Sequence, residues 1–352
     1  MVEIDGSYGS GGGQILRTAC ALSAVTKKPC RVFNIRRGRP KPGLMPQHLL
    51  GIQALAQLCN GRLEGDTLGS EEIKFYPGKT YRDRVSANIP TAGSIALVLQ
   101  TLIPPALFVP QPIKITFDGG ATDTFFSPTM DYFQYVFLKV LGKTREDENT
   151  SRPVEVNILR RGYYPEGGAK VSALIRPWQI NEEQLKSINL IERGQLKRIL
   201  VISGTASVLR DKKVAERQIA GVREILGKLK LPIEEKVEYY DTRCPGSQIC
   251  LIAEFENTVI GTDNLGKLGK RAEDVGKEAA LELLKEQRSL ACLDRHLADQ
   301  VLPYLALAGG KSQITVSEVT NHCKTNIWVI EKFIEGKFEI RGNLITWMPK
   351  KF

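Results

Sequence analysis

Apolar residues recur along this chain in two alternating rhythms. Residues 2–6 read as a short strand, and GSYGSGGGQ turns the chain. The stretch QILRTACALSAVTK then places Ile15, Leu16, Ala19 and Leu22 on one helical face. PCRVFNI reads as a strand and PQHLLGIQALAQLCNG as a helix with Gly61 just past its end. EIKFYPG closes a pair of strands. The predicted order is β-α-β-α-β-β.

That order recurs. RVSANIP predicts a strand, AGSIALVLQTLIPPALF a helix, IKITFDGG a strand, SPTMDYFQYVFLKVLG a helix and VEVNILRRGYYPEGGAKVSALI a hairpin. Near the end, DRHLADQVLPYLALAGG, SQITVSEV, TNIWVIEKFIEG and FEIRGNLITWM give helix, strand, helix and hairpin. RRGRPKPG and RRGYYPEGG both set paired arginines before a Gly/Pro turn, which supports duplication. The third copy has no first strand beside its helix. Before it lie about 100 residues with strands (RILVISGTAS, QICLIAEFE) and helices (VAERQIAGVREILGKL, AEDVGKEAALELLKEQ) of their own. The pattern predicts an α/β (α+β) chain with sheets on helices. A repeat domain covers 1–181 and 287–352, and a small α/β domain is inserted at 182–286.

Composition narrows the class. With 42% apolar residues the 352-residue chain can build a large core. No apolar run approaches a membrane span, and MVEIDGSYG lacks the apolar stretch of a signal peptide, so a cytoplasmic protein is expected. Seven scattered cysteines without a CxxC argue against a disulfide framework or zinc ribbon; Cys244 and Cys250 are the one pairing considered. A net charge of +10 favours phosphate-bearing partners or simply a basic surface.

Several stretches carry candidate chemistry. The Gly-rich turn GSYGSGGGQILR opens a helix, where backbone N–H groups and Arg17 could meet a phosphate. GTDNLGKL has P-loop spacing, but Leu268 stands where Ser or Thr must be, so it is rejected. In IRRGRPKPGLMPQH, Arg36, Arg37, Arg39 and Lys41 crowd a proline-stiffened turn suited to an anion, and His48 reads as a helix residue. In HLADQ, His296, Asp299 and Gln300 share a helix face that could hold a base and a ribose, or simply form a surface pair. His322 precedes the helix TNIWVIEKF. A helix N-terminus lowers an imidazole pKa, which suits a neutral nucleophile beside phosphate; a capping role is the alternative.

Taken together, DGSYGSGGGQILR, RRGRPKPGLMPQH, TAGSIALVLQTLIP, RRGYYPEGG, HLADQVLPYLALAGG and HCKTNI resemble the RNA 3′-terminal phosphate cyclases in order and spacing over nearly the whole chain. The resemblance implies three βαβαββ repeats, each like the C-terminal domain of bacterial translation initiation factor three, plus a small inserted domain. It implies a ligase using ATP and a divalent metal (Mg or Mn) on RNA with a 3′-phosphate end. A histidine takes AMP from ATP, AMP passes to the RNA phosphate, and the vicinal 2′-OH closes a 2′,3′-cyclic end.

By the same resemblance, the nucleophile falls on His322. ATP contacts fall on Gln100, Pro128 and the pentad His296, Leu297, Ala298, Asp299 and Gln300. Arg17, Arg36, Arg39 and Gln47 surround the RNA phosphate. Relatives often carry Tyr where this chain has His296, and Glu as a candidate metal ligand where it has Ser10, which leaves the metal ligands unknown. A non-catalytic cyclase-like RNA-binding protein in ribosomal RNA processing is the alternative; enolpyruvyl transferases use similar repeats but need no adenylated histidine. No membrane partner is expected. The oligomeric state stays open, a homo-oligomer included, with the basic helix of the insert a candidate surface for RNA or a second subunit.

Overall fold

The computed structural model describes residues 1–143, 153–178, 187–229 and 231–350. The expected domain boundary at 181–182 lies outside the described residues.

The first repeat is built as the apolar rhythm predicts. Strand β1 (Val2–Asp5), helix α1 (Gly13–Thr26), β2 (Cys30–Phe33), α2 (Pro46–Leu58), β3 (Arg62–Glu64) and β4 (Ile73–Tyr76) form one sheet in the order β1-β2-β4-β3. β1 and β2 run parallel, so the chain must cross over between them, and α1 supplies that crossover. The other pairings are antiparallel.

The second repeat copies this plan with β5 (Arg84–Ser94), α3 (Ile95–Leu107), β6 (Ile113–Ala121), β7 (Val154–Arg160) and β8 (Lys170–Ile175), ordered β5-β6-β8-β7. Its second helix is composite: α4 (Met130–Tyr132) passes through a π turn (Phe133–Phe137) into α5 (Leu138–Gly142). β5 extends beyond the predicted residue 90, because a register shift between Ile89 and Ser94 lets the chain rejoin β6 just before α3.

The third repeat is split. β9 (Asn189–Leu190) comes next in the chain, ahead of the inserted elements. Those are β10 (Leu196–Ala206), α6 (Val214–Leu226), β11 (Ile233–Tyr240), β12 (Ser247–Phe255), β13 (Val259–Leu265) and α7 (Ala272–Arg288). They make a sheet ordered β11-β10-β12-β13 with an apolar cluster of its own around Ile199, Val222, Leu251 and Leu283. The chain then resumes the repeat with α8 (Arg295–Leu307), β14 (Ser312–Thr315), α9 (Asn321–Phe333), β15 (Gly336–Arg341) and β16 (Leu344–Pro349).

β9 pairs in parallel with β14, and Leu293 makes a further parallel bridge to Val316 on the same strand line. One strand position is thus filled in two pieces, before and after the insert. The missing first strand of the third repeat lies within the stretch assigned above to the inserted domain. The three repeats share one continuous apolar core, from Ile4 and Leu16 through Leu99 and Phe133 to Leu302 and Ile330.

All seven cysteines are buried and none forms a disulfide. Among the described residues no helix is long and apolar enough to cross a membrane. The rejected P-loop segment is a strand from Gly261 to Leu265, without the helix start that a phosphate loop needs.

The insert is fastened to the second repeat by a buried polar network. Arg161 donates to Asp123 (3.1 Å) and to Asp131, and all three side chains are buried. Gln248 of β12 donates to Asp131 (3.1 Å), and Tyr163 donates to Gln248. The second arginine of RRGYYPEGG is therefore a structural cation. Arg161→Ala strands two buried carboxylates, so a loss of about 3–5 kcal/mol is expected in denaturant unfolding. A loss under about 1 kcal/mol would show that the carboxylates take up protons instead.

Candidate active site

Three helices bring polar side chains to one junction. On α1, Gln14, Arg17 and Thr18 sit at positions i, i+3 and i+4, a polar stripe on an otherwise apolar helix. On α8 the stripe is His296, Asp299 and Gln300; on α9 it is His322 and Asn326. Thr18 donates to Asn326 Oδ1 (2.9 Å), Asn326 donates to the Asp299 carbonyl (2.8 Å), and Gln14 donates to Asp299 Oδ2 (2.8 Å).

His322 lies inside the first turn of α9, not ahead of it. Thr320 is the N-cap, its hydroxyl accepting from the Cys323 amide at 3.2 Å. The capped turn holds His322 at the positive end of the helix, where an imidazolium is disfavoured. Burial lowers its pKa further, as do Arg17, Arg39 and His296. The ring is therefore neutral at pH 7.

Gln14 fixes which ring nitrogen is bare. Its amide nitrogen faces two acceptors, Asp299 Oδ2 and the His322 carbonyl (3.3 Å). That orients the amide, so Gln14 Oε1 must face His322 Nδ1, with which it is in hydrogen-bond contact. An amide oxygen only accepts, so Nδ1 carries the proton and Nε2 keeps its lone pair. Gln14 is 6% exposed and was not among the residues singled out from the sequence. The polar stripe on α1 was the signal that could have found it.

Arg17, half-buried, holds its charge although burial drops its pKa to about 10, with Asp299 opposing the drop. The Asp299 carboxyl is pushed up to about 7 by burial, and Arg17 pulls it back. A cavity of about 50 Å³ opens here, walled by Gln14, Arg17, Gln100, Asp299, Gln300 and Asn326. Gln100 of α3 donates to Gln300 Oε1 (2.7 Å), and Gln300 donates to the His296 carbonyl (2.6 Å).

His296 itself is exposed, while the side chains of Leu297 and Ala298 are buried in the core. Pro128 precedes Thr129, whose amide donates to Asp263 Oδ2 (2.6 Å). Burial raises the Asp263 pKa, while the Thr129 hydrogen bonds and the charge of His296 lower it. Asp294, the N-cap of α8, accepts from Tyr132 (2.6 Å) and from the Gly261 amide (3.0 Å). The insert thus locks this helix start.

The basic turn lies on the other side. Arg36 has φ +56° and donates to the carbonyls of Lys41 (2.7 Å) and Gly43 (3.4 Å). Arg39, exposed, donates to the Ser10 carbonyl (3.0 Å), tying this turn to the Gly-rich turn. The charge of Arg39 lowers the pKa of Arg36 after burial, so the two guanidiniums are neighbours.

His48 is packed against the backbone of Gly13, where a Cβ would stand 2.1 Å from Nε2. Its Nδ1 accepts from the Met45 amide (3.3 Å), and burial with Arg17 and Arg36 nearby drops its pKa to about 3. It is a permanently neutral structural histidine. Gln47, one residue earlier, is half-buried against Gly93 near the end of β5.

Ser10 is anchored through its amide to Thr325 Oγ1 (3.1 Å), while its hydroxyl is buried with no partner. Among the described residues there is no group of three His, Cys, Asp or Glu side chains able to hold a metal ion. One hydroxyl is a poor substitute for the several oxygen ligands a hard divalent cation takes. The side chains present do not fit a protein-held metal.

The sequence model of the family described as RNA 3′-terminal phosphate cyclase matches residues 8–340. Curated relatives of that name include proteins of Pyrococcus furiosus, 43% identical over 98% of this chain and 96% of the relative, and Thermococcus kodakarensis, 45% identical over 97% and 95%. A relative of the same name from Pyrobaculum aerophilum is 42% identical over 96% of this chain and 94% of its own. With the match running through the Gly-rich turn, the basic turn and the helices of the junction, the chain belongs to the RNA 3′-terminal phosphate cyclase family of enzymes.

Proposed function

We propose that this chain converts an RNA 3′-terminal phosphate into a 2′,3′-cyclic phosphodiester through an adenylated His322. The observation that carries this reading is the Asp299–Gln14–His322 chain, which leaves a neutral imidazole with a bare Nε2 among arginines. His322 Nε2 attacks the α-phosphorus of ATP, forming an N–P bond as the P–O bond to pyrophosphate breaks. An oxygen of the RNA 3′-phosphate then attacks the same phosphorus and returns the electron pair to Nε2. Finally the 2′-oxygen attacks the RNA phosphorus and expels AMP, its proton going to solvent. Each displacement is simpler than a single dehydration.

The residues divide by side. Gln100, Pro128, His296, Asp299 and Gln300 receive the nucleoside, with Leu297 and Ala298 supporting them from the core. Arg17, Arg36, Arg39 and Gln47 receive the RNA phosphate. Arg17 lies between the groups, so its charge serves phosphorus in every step. A divalent metal, Mg or Mn, would come with the ATP phosphates; no step is assigned to it.

The test is incubation with ATP labelled at the α-phosphate and a divalent metal, without RNA. An acid-labile, alkali-stable protein adduct that disappears when 3′-phosphate RNA is added, with a cyclic end formed, is the expected result. Folded protein that binds RNA but takes no label with either metal would favour the non-catalytic reading.

Two substitutions separate the sides. Arg39→Ala is expected to leave self-labelling intact and to weaken 3′-phosphate RNA, flattening the log–log salt dependence by about 0.7. An unchanged slope removes Arg39 from the phosphate site. Ser10→Glu offers a carboxylate where the buried hydroxyl has no partner. It is expected to lower the metal concentration needed for half-maximal labelling, and an unmoved titration excludes this position as a ligand site.

A further inference from the structure

The loop before α4 and the RRGYYPEGG turn expose aromatic rings on a rigid base. Phe126 is fully exposed (104%) and held at φ +64°, an outlying conformation for a bulky side chain. Phe125 is 41% and Tyr164 59% exposed, and their rings meet edge to face at 6.1 Å.

Beneath them the loop is clamped. Asp123 bridges to Tyr163, its carboxylate is bound by Arg161, Ser127 Oγ donates to the Thr124 carbonyl (3.0 Å), and Thr129 is tied to Asp263. A solvent-facing ring costs an apolar surface, and a strained backbone persists only when its surroundings over-determine it. A fixed set of rings is what stacking on nucleobases requires.

The position fits a strand leaving the reactive end. A Cβ built on Gly93 would stand 3.4 Å from Gln47 Cβ, and one built on Gly167 would stand 3.1 Å from the Ala92 Cα. The aromatic turn is therefore the next surface beyond the end of β5 that backs Gln47. Arg160, Lys170 and Arg243 border it: Arg160 and Lys170 face each other across β7 and β8, and Arg243 lies over Gly168. Asp118 and Glu166 are the carboxylates beside them. The chain as a whole carries +10. Rings bordered by cations match single-stranded RNA, whose bases stack and whose backbone is anionic.

The geometry points to a base-stacking platform, formed by Phe125, Phe126 and Tyr164, for the RNA nucleotides that lie 5′ of the terminal two. It rests on the reading that the 3′-phosphate sits at Gln47 and the arginines. The platform sets affinity for RNA longer than the reacting nucleotides and takes no part in adenylation.

The test compares a 3′-phosphorylated dinucleotide with a 3′-phosphorylated oligouridylate decamer on the full chain. Phe126→Ala combined with Tyr164→Ala is expected to weaken the decamer about five- to a hundredfold for each stack lost. Dinucleotide affinity, thermal midpoint and ATP self-labelling stay unchanged, and Phe126→Trp with Tyr164→Phe restores the decamer. An unchanged decamer affinity overturns the proposal and turns the cluster toward a protein partner. Equal weakening of both RNAs also overturns it. If the unsubstituted protein takes no label from ATP, the cyclase reading fails on that result alone, while the length dependence still decides the platform.

Discussion

His322→Ala protein incubated with α-labelled ATP and metal carries no label, while its circular dichroism and thermal midpoint match the unsubstituted chain. The residue is exposed at the helix start and its ring is held by Gln14, so its removal opens no cavity in the core. The helix cap belongs to Thr320 and survives. Nothing else at the junction replaces the nucleophile. His48 is buried against Gly13, and Cys323 is buried with its thiol pushed up to about 11. His296, assigned to the nucleoside in the proposed mechanism, has an Nε2 that already accepts from Arg295 Nε (3.3 Å) and so is not bare. Label surviving in His322→Ala would move the nucleophile elsewhere and undo the assignment of sides.

Gln14→Ala is expected to slow single-turnover self-labelling by roughly a hundredfold with little change in the ATP concentration for half-saturation. The amide holds the imidazole in orientation and tautomer, and small misplacements of a reacting group cost rate on that scale. The pH profile separates this from mere structural damage. In the proposed mechanism the neutral ring is the reactive form, so labelling is expected to be lost as pH falls through the His322 pKa. Burial, Arg17, Arg39 and His296 lower that pKa, so the acid limb of the unsubstituted protein lies below pH 6.5. Gln14→Glu puts a carboxylate against Nδ1, favours the imidazolium and moves the limb upward. A profile that does not move between Gln14 and Glu would mean that the amide is only scaffolding.

Much of this site was legible because chemistry and periodicity coincide. The helices α1, α2 and α8 begin and end within a few residues of their apolar stripes, so Arg17, Gln47, Asp299 and Gln300 lie on the helices the pattern predicts. Other features gave weaker signals. The start of α9 comes earlier than expected because Thr320 caps a polar first turn, Asn321–Cys323, where no apolar period can show. β11 carries half-exposed residues on both faces, so its alternation is faint. Two-residue β9 is shorter than any period. Gln14 escaped because a glutamine in a Gly-rich turn reads as a turn residue. Its role follows from Asp299 and His322, which are close to it only in three dimensions.

The divided strand of the third sheet has a consequence for how the enzyme is made. Leu190 and Leu293 must come to the same strand line, and everything between them is the inserted unit. As an unfolded chain that stretch would oppose the pairing by its closure entropy; once folded, it presents its ends as a short hinge. Closure entropy therefore favours one order: the insert first, then the third sheet, then α8 and α9 against α1. Since Asp299 and His322 ride on those last two helices, the junction that gathers them against Gln14 is the last part of the fold to close on that route.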